Sequence, residues 1–299
     1  MIYNQKTYDI SLSRTYTIYN KLFTKLVHIS ILLPAYNKHY LELIKLEGKP
    51  LCGLRDGKNG NVFIHYRLHS LKARETTIIA STLLLKRKTS VYFPGTKNLG
   101  TLSDIPKTYK IRYLQGAYEY ITRRVRRIAE RILRKTNDIS EIQHMIIEFL
   151  NRNFKKSMEE EEEDPFLVFQ RGYGGPRSFA IAFALLNAQL GIPVRLVTGW
   201  LLNIENKKIN PHYWCEILSQ RNWIPYDPWL GLEGKISSGH IPIKIDNPFR
   251  KTSDILVKYK TVEKISRKAI VIEENFIEIR ARVNNEYMVV KREERRNVY

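Results

Sequence analysis

The residues that decide the fold read Gly172-Tyr-Gly-Gly-Pro176-Arg-Ser178-Phe-Ala-Ile-Ala-Phe-Ala-Leu-Leu-Asn-Ala-Gln-Leu-Gly191-Ile-Pro193-Val-Arg195-Leu-Val-Thr-Gly199. A glycine-rich loop runs into Pro176, whose missing N–H is harmless in a first helical turn because that donor has no intrahelical partner there. Phe179, Ala182, Phe183, Leu186 and Leu190 then recur at helical spacing, which predicts a helix buried along most of its length. Gly191 ends it. The apolar run from Ile192 to Val197 is too short for a helix and rich in β-branched residues, so it reads as a strand.

Downstream, Pro211 to Leu218 and Trp223 to Asp227 read as paired strands joined by Ser219-Gln-Arg-Asn222. The two-residue period puts His212, Trp214 and Glu216 on one face and Cys215 on the other. On the residues alone, His212 is a histidine packed and hydrogen-bonded in a core. Trp200, Trp214, Trp223 and Trp229 fall within thirty residues. Core packing is their ordinary role, and an aromatic-walled groove for an extended peptide is the sharper one.

Upstream, Ile121, Val125, Ile128 and Ile132 form an apolar helical stripe, with Arg123, Arg127, Arg131 and Arg134 on a face read as solvated. Asp138-Ile-Ser-Glu141 resembles a capping box opening a second helix, with Ile142, Ile146, Phe149 and Leu150 inward. Glu159 to Asp164 is an acidic run expected in an exposed loop. Alternation at Tyr8-Ile10-Leu12, Val27-Ile29-Ile31-Leu33 and Val62-Ile64-Tyr66-Leu68, with a turn at Asp56 to Gly60, predicts antiparallel strands before a linker over Tyr92 to Pro106. A last hairpin is expected around Asn284-Asn285.

These motifs, in this order, resemble the core of the transglutaminase-like superfamily. Its members carry Gly-x-Cys-x-x-Phe-Ala, a helix, Gly-Ile-Pro-Ala-Arg-x-Val-x-Gly, His-x-Trp-x-Glu and Gly-Trp-x-x-x-Asp-Pro. The resemblance implies an α+β fold: an N-terminal antiparallel β-sandwich, then a papain-like, transglutaminase-type core of helices packed on an antiparallel sheet. The domains expected are 1–105 for the β-sandwich, 106–245 for the core, and 246–299 for a C-terminal β extension packed on that core. The resemblance also implies a Cys-His-Asp triad in which His212 and Asp227 hold two places.

The third place, the cysteine's, falls on Pro176. Proline has neither a nucleophilic atom nor an N–H, so the thiol is lost together with a backbone donor of the oxyanion-hole kind. Losing one such donor costs about 3–4 kcal/mol of transition-state stabilisation, and losing the nucleophile costs more. Ser178 lies two helical positions on, about 200° around the axis, and Cys215 lies on the strand face opposite His212, so neither is well placed to substitute. The expectation is a pseudoenzyme: a non-enzymatic scaffold binding an extended peptide or protein partner beside Pro176, with Trp200, Trp214 and Ser178 lining the cleft. Two alternatives stand beside it. One is a hydrolase or amide transferase using water or Ser178 with His212. The other is a basic nucleic-acid-binding module resembling the inactive transglutaminase-like domain of certain DNA-repair proteins.

The chain has 299 residues, 43% of them hydrophobic, enough for a sizeable core and two domains. Its formal charge of +20 raises the question of polyanionic partners, yet no zinc knuckle, helix-turn-helix or RNP-like motif accompanies it. Lysine, arginine, isoleucine, glutamate and tyrosine are spread throughout, a balance also found in proteins from hot environments, so a thermostable protein is expected. No run approaches the roughly 18 apolar residues of a membrane span, and the first residues do not read as a signal peptide. Cys52 and Cys215 are too far apart in sequence to suggest a disulfide framework or a metal cluster. A cytoplasmic setting with no metal and no cofactor is expected.

Overall fold

The computed structural model describes residues 8–32, 41–49, 52–57, 61–87, 98–158, 164–203, 208–237, 239–249, 255–261, 270–283, 286–292 and 296–297. In chain order, six strands come first: β1 (Tyr8–Asn20), β2 (Thr24–Leu32), β3 (Leu41–Lys49), β4 (Cys52–Asp56), β5 (Val62–Leu71) and β6 (Thr76–Arg87). Then follow α1 (Lys107–Leu114), α2 (Arg123–Leu133), α3 (Ile139–Asn153), β7 (Lys155–Lys156), α4 (Pro165–Arg171), β8 (Tyr173–Gly174) and α5 (Pro176–Gln189). The strands β9 (Val194–Asn203), β10 (Lys208–Ser219), β11 (Asn222–Asp227), β12 (Leu232–Glu233) and β13 (His240–Asp246) complete one sheet, and β14 (Ile255–Thr261), β15 (Ile270–Val283), β16 (Glu286–Arg292) and β17 (Arg296–Asn297) end the chain.

The chain divides into two compact units, one over residues 90–201 and 211–252, the other over 4–89, 202–210 and 253–299. The second unit is all β. One sheet runs β16-β15-β1-β6-β3, with β17 beside β15, and the other runs β14-β2-β5-β4. Along β1, Ile10, Leu12, Tyr16 and Ile18 are buried while Ser11, Ser13 and Thr15 are only partly covered, the period-2 pattern of a sheet with one apolar face. The two sheets face each other. Arg14 on β1 donates to the Leu32 carbonyl of the opposite sheet at 2.9 Å, and the Tyr66 hydroxyl on β5 donates to the Ala80 carbonyl at 3.1 Å.

The C-terminal strands differ from expectation. β15 pairs with β1 from Asp9↔Arg282 to Asn20↔Ile270, and β14 pairs with β2 from Ile255↔Ile31 to Thr261↔Thr24. Strands β14 to β17 therefore complete the N-terminal sandwich instead of extending the core. Alternation shows that a segment is a strand without showing its partner, and the N-terminal strands offered open edges. The core's own last strand is β13, antiparallel to β9. Of the predicted turn at 56–60, positions 58–60 lie outside the described residues, as do 92–97 of the linker, 159–163 of the acidic run and the Asn284-Asn285 turn.

The other unit is built around α5. Gly175 is its N-cap and Pro176 its first residue. Its far end closes with the Ile192 N–H donating to the Asn187 carbonyl at 2.9 Å and the Gly191 N–H to the Ala188 carbonyl at 3.0 Å. That paired closure needs a left-handed residue, and Gly191 has φ 75°. Phe179, Ile181, Phe183, Leu185 and Leu186 are all enclosed, in one cluster with Val125, Ile128 and Ile132 of α2, Ile142 and Ile146 of α3, and Phe169 of α4. Each such side chain contributes about 1.5–3 kcal/mol on burial.

Thr122 caps α2 and Asp138 caps α3, accepting from the Glu141 N–H at 3.0 Å. Arg123, Arg127, Arg131 and Arg134 are exposed. The short helices α1 and α4 were not anticipated. They span 8 and 7 residues, less than the stretch over which a 3.6-residue period stands out. Behind the helices lies a five-stranded sheet in the order β12-β11-β10-β9-β13.

Candidate functional site

Strand β10 alternates cleanly. Cys215 and Ile217 join the cluster around α5, the Cys215 thiol lying 3.2 Å from the Ala180 carbonyl. His212, Trp214 and Glu216 take the other face. There the His212 and Trp214 rings stack with centroids 6.3 Å apart, and Glu216 holds Arg195 of β9 in a buried ion pair at 2.5 Å.

β11 pairs with β10 and ends at Asp227, which is fully buried. Its Oδ2 lies 2.6 Å from His212 Nε2, so the pair expected from sequence is formed. The same oxygen lies 2.9 Å from Nε2 of His240, the first residue of β13, while Oδ1 accepts the Leu230 N–H at 3.0 Å. His240 Nδ1 in turn sits 2.8 Å from Ser237 Oγ and 3.3 Å from the Ser237 carbonyl. Asp227 is thus shared by two imidazoles. Burial alone pushes its carboxyl up, but the charges and hydrogen bonds of His212 and His240 outweigh that and hold it well below the usual carboxylate range.

His240 was not singled out in the sequence. It lies thirteen positions beyond Asp227 and arrives on a strand separated from β10 by β9. The available signal was the alternating His240-Ile-Pro-Ile run, which reads as a strand beginning with a histidine. A metal centre was not expected either. Among the described residues, however, His212, Asp227 and His240 bring three possible ligand atoms within 4.8 Å of one another, all buried.

Trp214 packs beneath both imidazoles, its ring edge-on to His240 at 5.0 Å. It is fully enclosed, so it supports the histidines and does not wall an open groove. Its Nε1–H is buried with no hydrogen-bond partner. Gly199 makes this packing possible, since a Cβ there would meet the Trp214 ring at 2.9 Å and the Ile241 carbonyl at 2.2 Å.

The other tryptophans are dispersed. Trp223 lies under the Arg195 guanidinium at 4.2 Å and edge-on to Tyr113, and Trp229 stands edge-on to Phe179 at 5.1 Å. Trp200, opposite Ile241, is half-buried, as Trp223 and Trp229 are. Pro176 and Ser178 are both buried at the head of α5. Burial, with the charges of Asp227 and Glu216, pushes the Cys215 thiol well above its usual range. It is an inert core residue.

Comparison with known proteins agrees with this architecture. Residues 126–228 match the transglutaminase-like superfamily. The fold is similar to that of a candidate cysteine protease from Cytophaga hutchinsonii, with a TM-score of 0.60 at 12% identity, covering 98% of this chain and 100% of that one. The periplasmic domain of TgpA from Pseudomonas aeruginosa is similar at a TM-score of 0.39 and 12% identity, over 73% of this chain and 88% of that one. No curated protein sequence matches. Among the described residues no helix is long and apolar enough to cross a membrane. A buried helix entered through glycine and proline, and a following antiparallel sheet that joins His212 to Asp227, agree with the sequence match: residues 126–228 form a domain of the transglutaminase-like superfamily.

Proposed function

We propose that this domain binds an extended polypeptide or protein partner and does not carry out thiol-based acyl transfer. One observation carries the reading: an imidazole–carboxylate pair, His212–Asp227, with neither a cysteine nor an accessible hydroxyl in the first turn of α5. The residue at the head of α5 is Pro176, Ser178 is enclosed, and Cys215 faces the Ala180 carbonyl with its thiolate disfavoured. An imidazole can activate a hydroxyl or thiol only within hydrogen-bond reach. Trp200 is the side chain we assign to contact with the bound chain, because it keeps an accessible face beside the strand that carries His240.

Two measurements test this. Incubation with an amine donor and glutamine-containing or other peptide substrates is expected to give no turnover above that of His212→Ala; turnover that His212→Ala abolishes overturns the reading. Binding to a peptide array is expected to fall at least tenfold in Trp200→Glu, and binding that ignores this change removes Trp200 from the site. Pro176→Cys sharpens the result. A thiol there that alkylates rapidly near neutral pH supports placing the inherited nucleophile position at the head of α5, within reach of His212.

A further inference from the structure

We propose that His212, Asp227 and His240 form a binding site for a divalent transition-metal ion of the zinc class. The inference stands apart from the peptide-binding reading and survives its failure. Two imidazoles and a carboxylate, with ligand atoms within 4.8 Å of one another, match the donor set that Zn²⁺ and Co²⁺ take; Ca²⁺ and Mg²⁺ favour all-oxygen sites. Three protein ligands are one short of tetrahedral, which leaves a position for water.

The surroundings supply an independent reason. His240 Nδ1 faces the Ser237 carbonyl at 3.3 Å as well as Ser237 Oγ at 2.8 Å. A carbonyl only accepts, so once Nε2 carries an ion this setting can hold an N–H on Nδ1, the partner arrangement typical of metal-bound histidine; in the ion-free tautomer the Ser237 hydroxyl donates to Nδ1. In the ion-bound tautomer Nε2 presents its lone pair beside Asp227 Oδ2, 2.9 Å away in the ion-free site. Two lone pairs at that distance repel unless a cation or a proton lies between them. Asp227 Oδ1 is pinned by the Leu230 N–H, and Trp214 fixes both rings from below, so the three ligands are held before any ion arrives.

In the structure protons fill the gap. The Nε2–Oδ2 distances of 2.6 and 2.9 Å are shorter than the roughly 3.4 Å separation set by bonds of about 2.0–2.2 Å at tetrahedral angles. An entering ion lengthens these contacts by about 0.5–0.8 Å and replaces the Nε2 protons, which move to Nδ1 or to solvent.

The test uses untagged full-length protein stripped with chelator, then titrated with Zn²⁺ by calorimetry and with Co²⁺ by visible absorption. The expected result is one equivalent bound, with the intense d–d bands of a four-coordinate Co²⁺ site. His240→Gln and Asp227→Asn, shown folded by circular dichroism, should abolish it. Ser237→Ala, which keeps all three ligands, should weaken it about 10–100-fold. His144→Ala removes a surface histidine paired with Glu233 and should change nothing. Absence of stoichiometric binding by the folded wild type, or binding unchanged in both Ser237→Ala and His240→Gln, overturns the proposal.

Discussion

Two histidine pairs in this protein make an instructive contrast. In the sandwich, His28 of β2 and His65 of β5 stack at 5.2 Å with Nδ1 and Nε2 3.1 Å apart, and Ser30 Oγ lies 3.0 Å from the other nitrogen of His65. In the core, His212 and His240 stand edge-on at 5.3 Å, and Ser237 lies beside the second imidazole. Both are chains of serine and two imidazoles. The core chain has a carboxylate between its rings and is almost sealed from water; the sandwich chain has neither feature. A ring pair half open to solvent can trade its hydrogen bonds for water at small net cost. A sealed pair cannot, so its carboxylate becomes indispensable.

The largest effect expected follows from that difference. Asp227→Ala leaves two buried imidazoles and the Leu230 N–H without their acceptor, and denaturant unfolding should show a loss of about 3–5 kcal/mol. Next comes acid sensitivity. Because the folded-state carboxyl titrates below its unfolded value, its contribution is complete above about pH 4 and is lost as pH falls below that. The acid limb of a stability–pH curve should therefore flatten in Asp227→Asn. The smallest effect belongs to the sandwich. His65→Ala should cost about 0.5–1.5 kcal/mol by the same denaturant measurement, with no change in the acid limb assigned to Asp227. A larger loss at His65 than at Asp227 would invert the contrast.

Much of the core was legible before any coordinates. The buried helix announced itself through Gly175-Pro176 at one end and Gly191 at the other, because glycine and proline act on local backbone geometry that sequence states directly. His212 opposite Asp227 was readable from ordered motifs on two adjacent strands. His240 was not, because its partner Asp227 is reached across two intervening strands, and register between non-neighbouring segments leaves no local trace. The destination of β14 and β15 was hidden for the same reason. Trp214 misled differently: a tryptophan beside a histidine reads equally as a groove wall or as a floor, and only Gly199, by letting the ring close against the backbone, decides for the floor.

The pairing of β1 with β15 also bears on how the chain matures. A ribosome delivers β1 early, yet its Asp9↔Arg282 neighbour appears only after the whole helical unit has been made. The helical unit has its partners to hand and is free to assemble first. Meanwhile β1 carries an unsatisfied row of amides, as an exposed strand edge does, until the later-made β15 zips onto it.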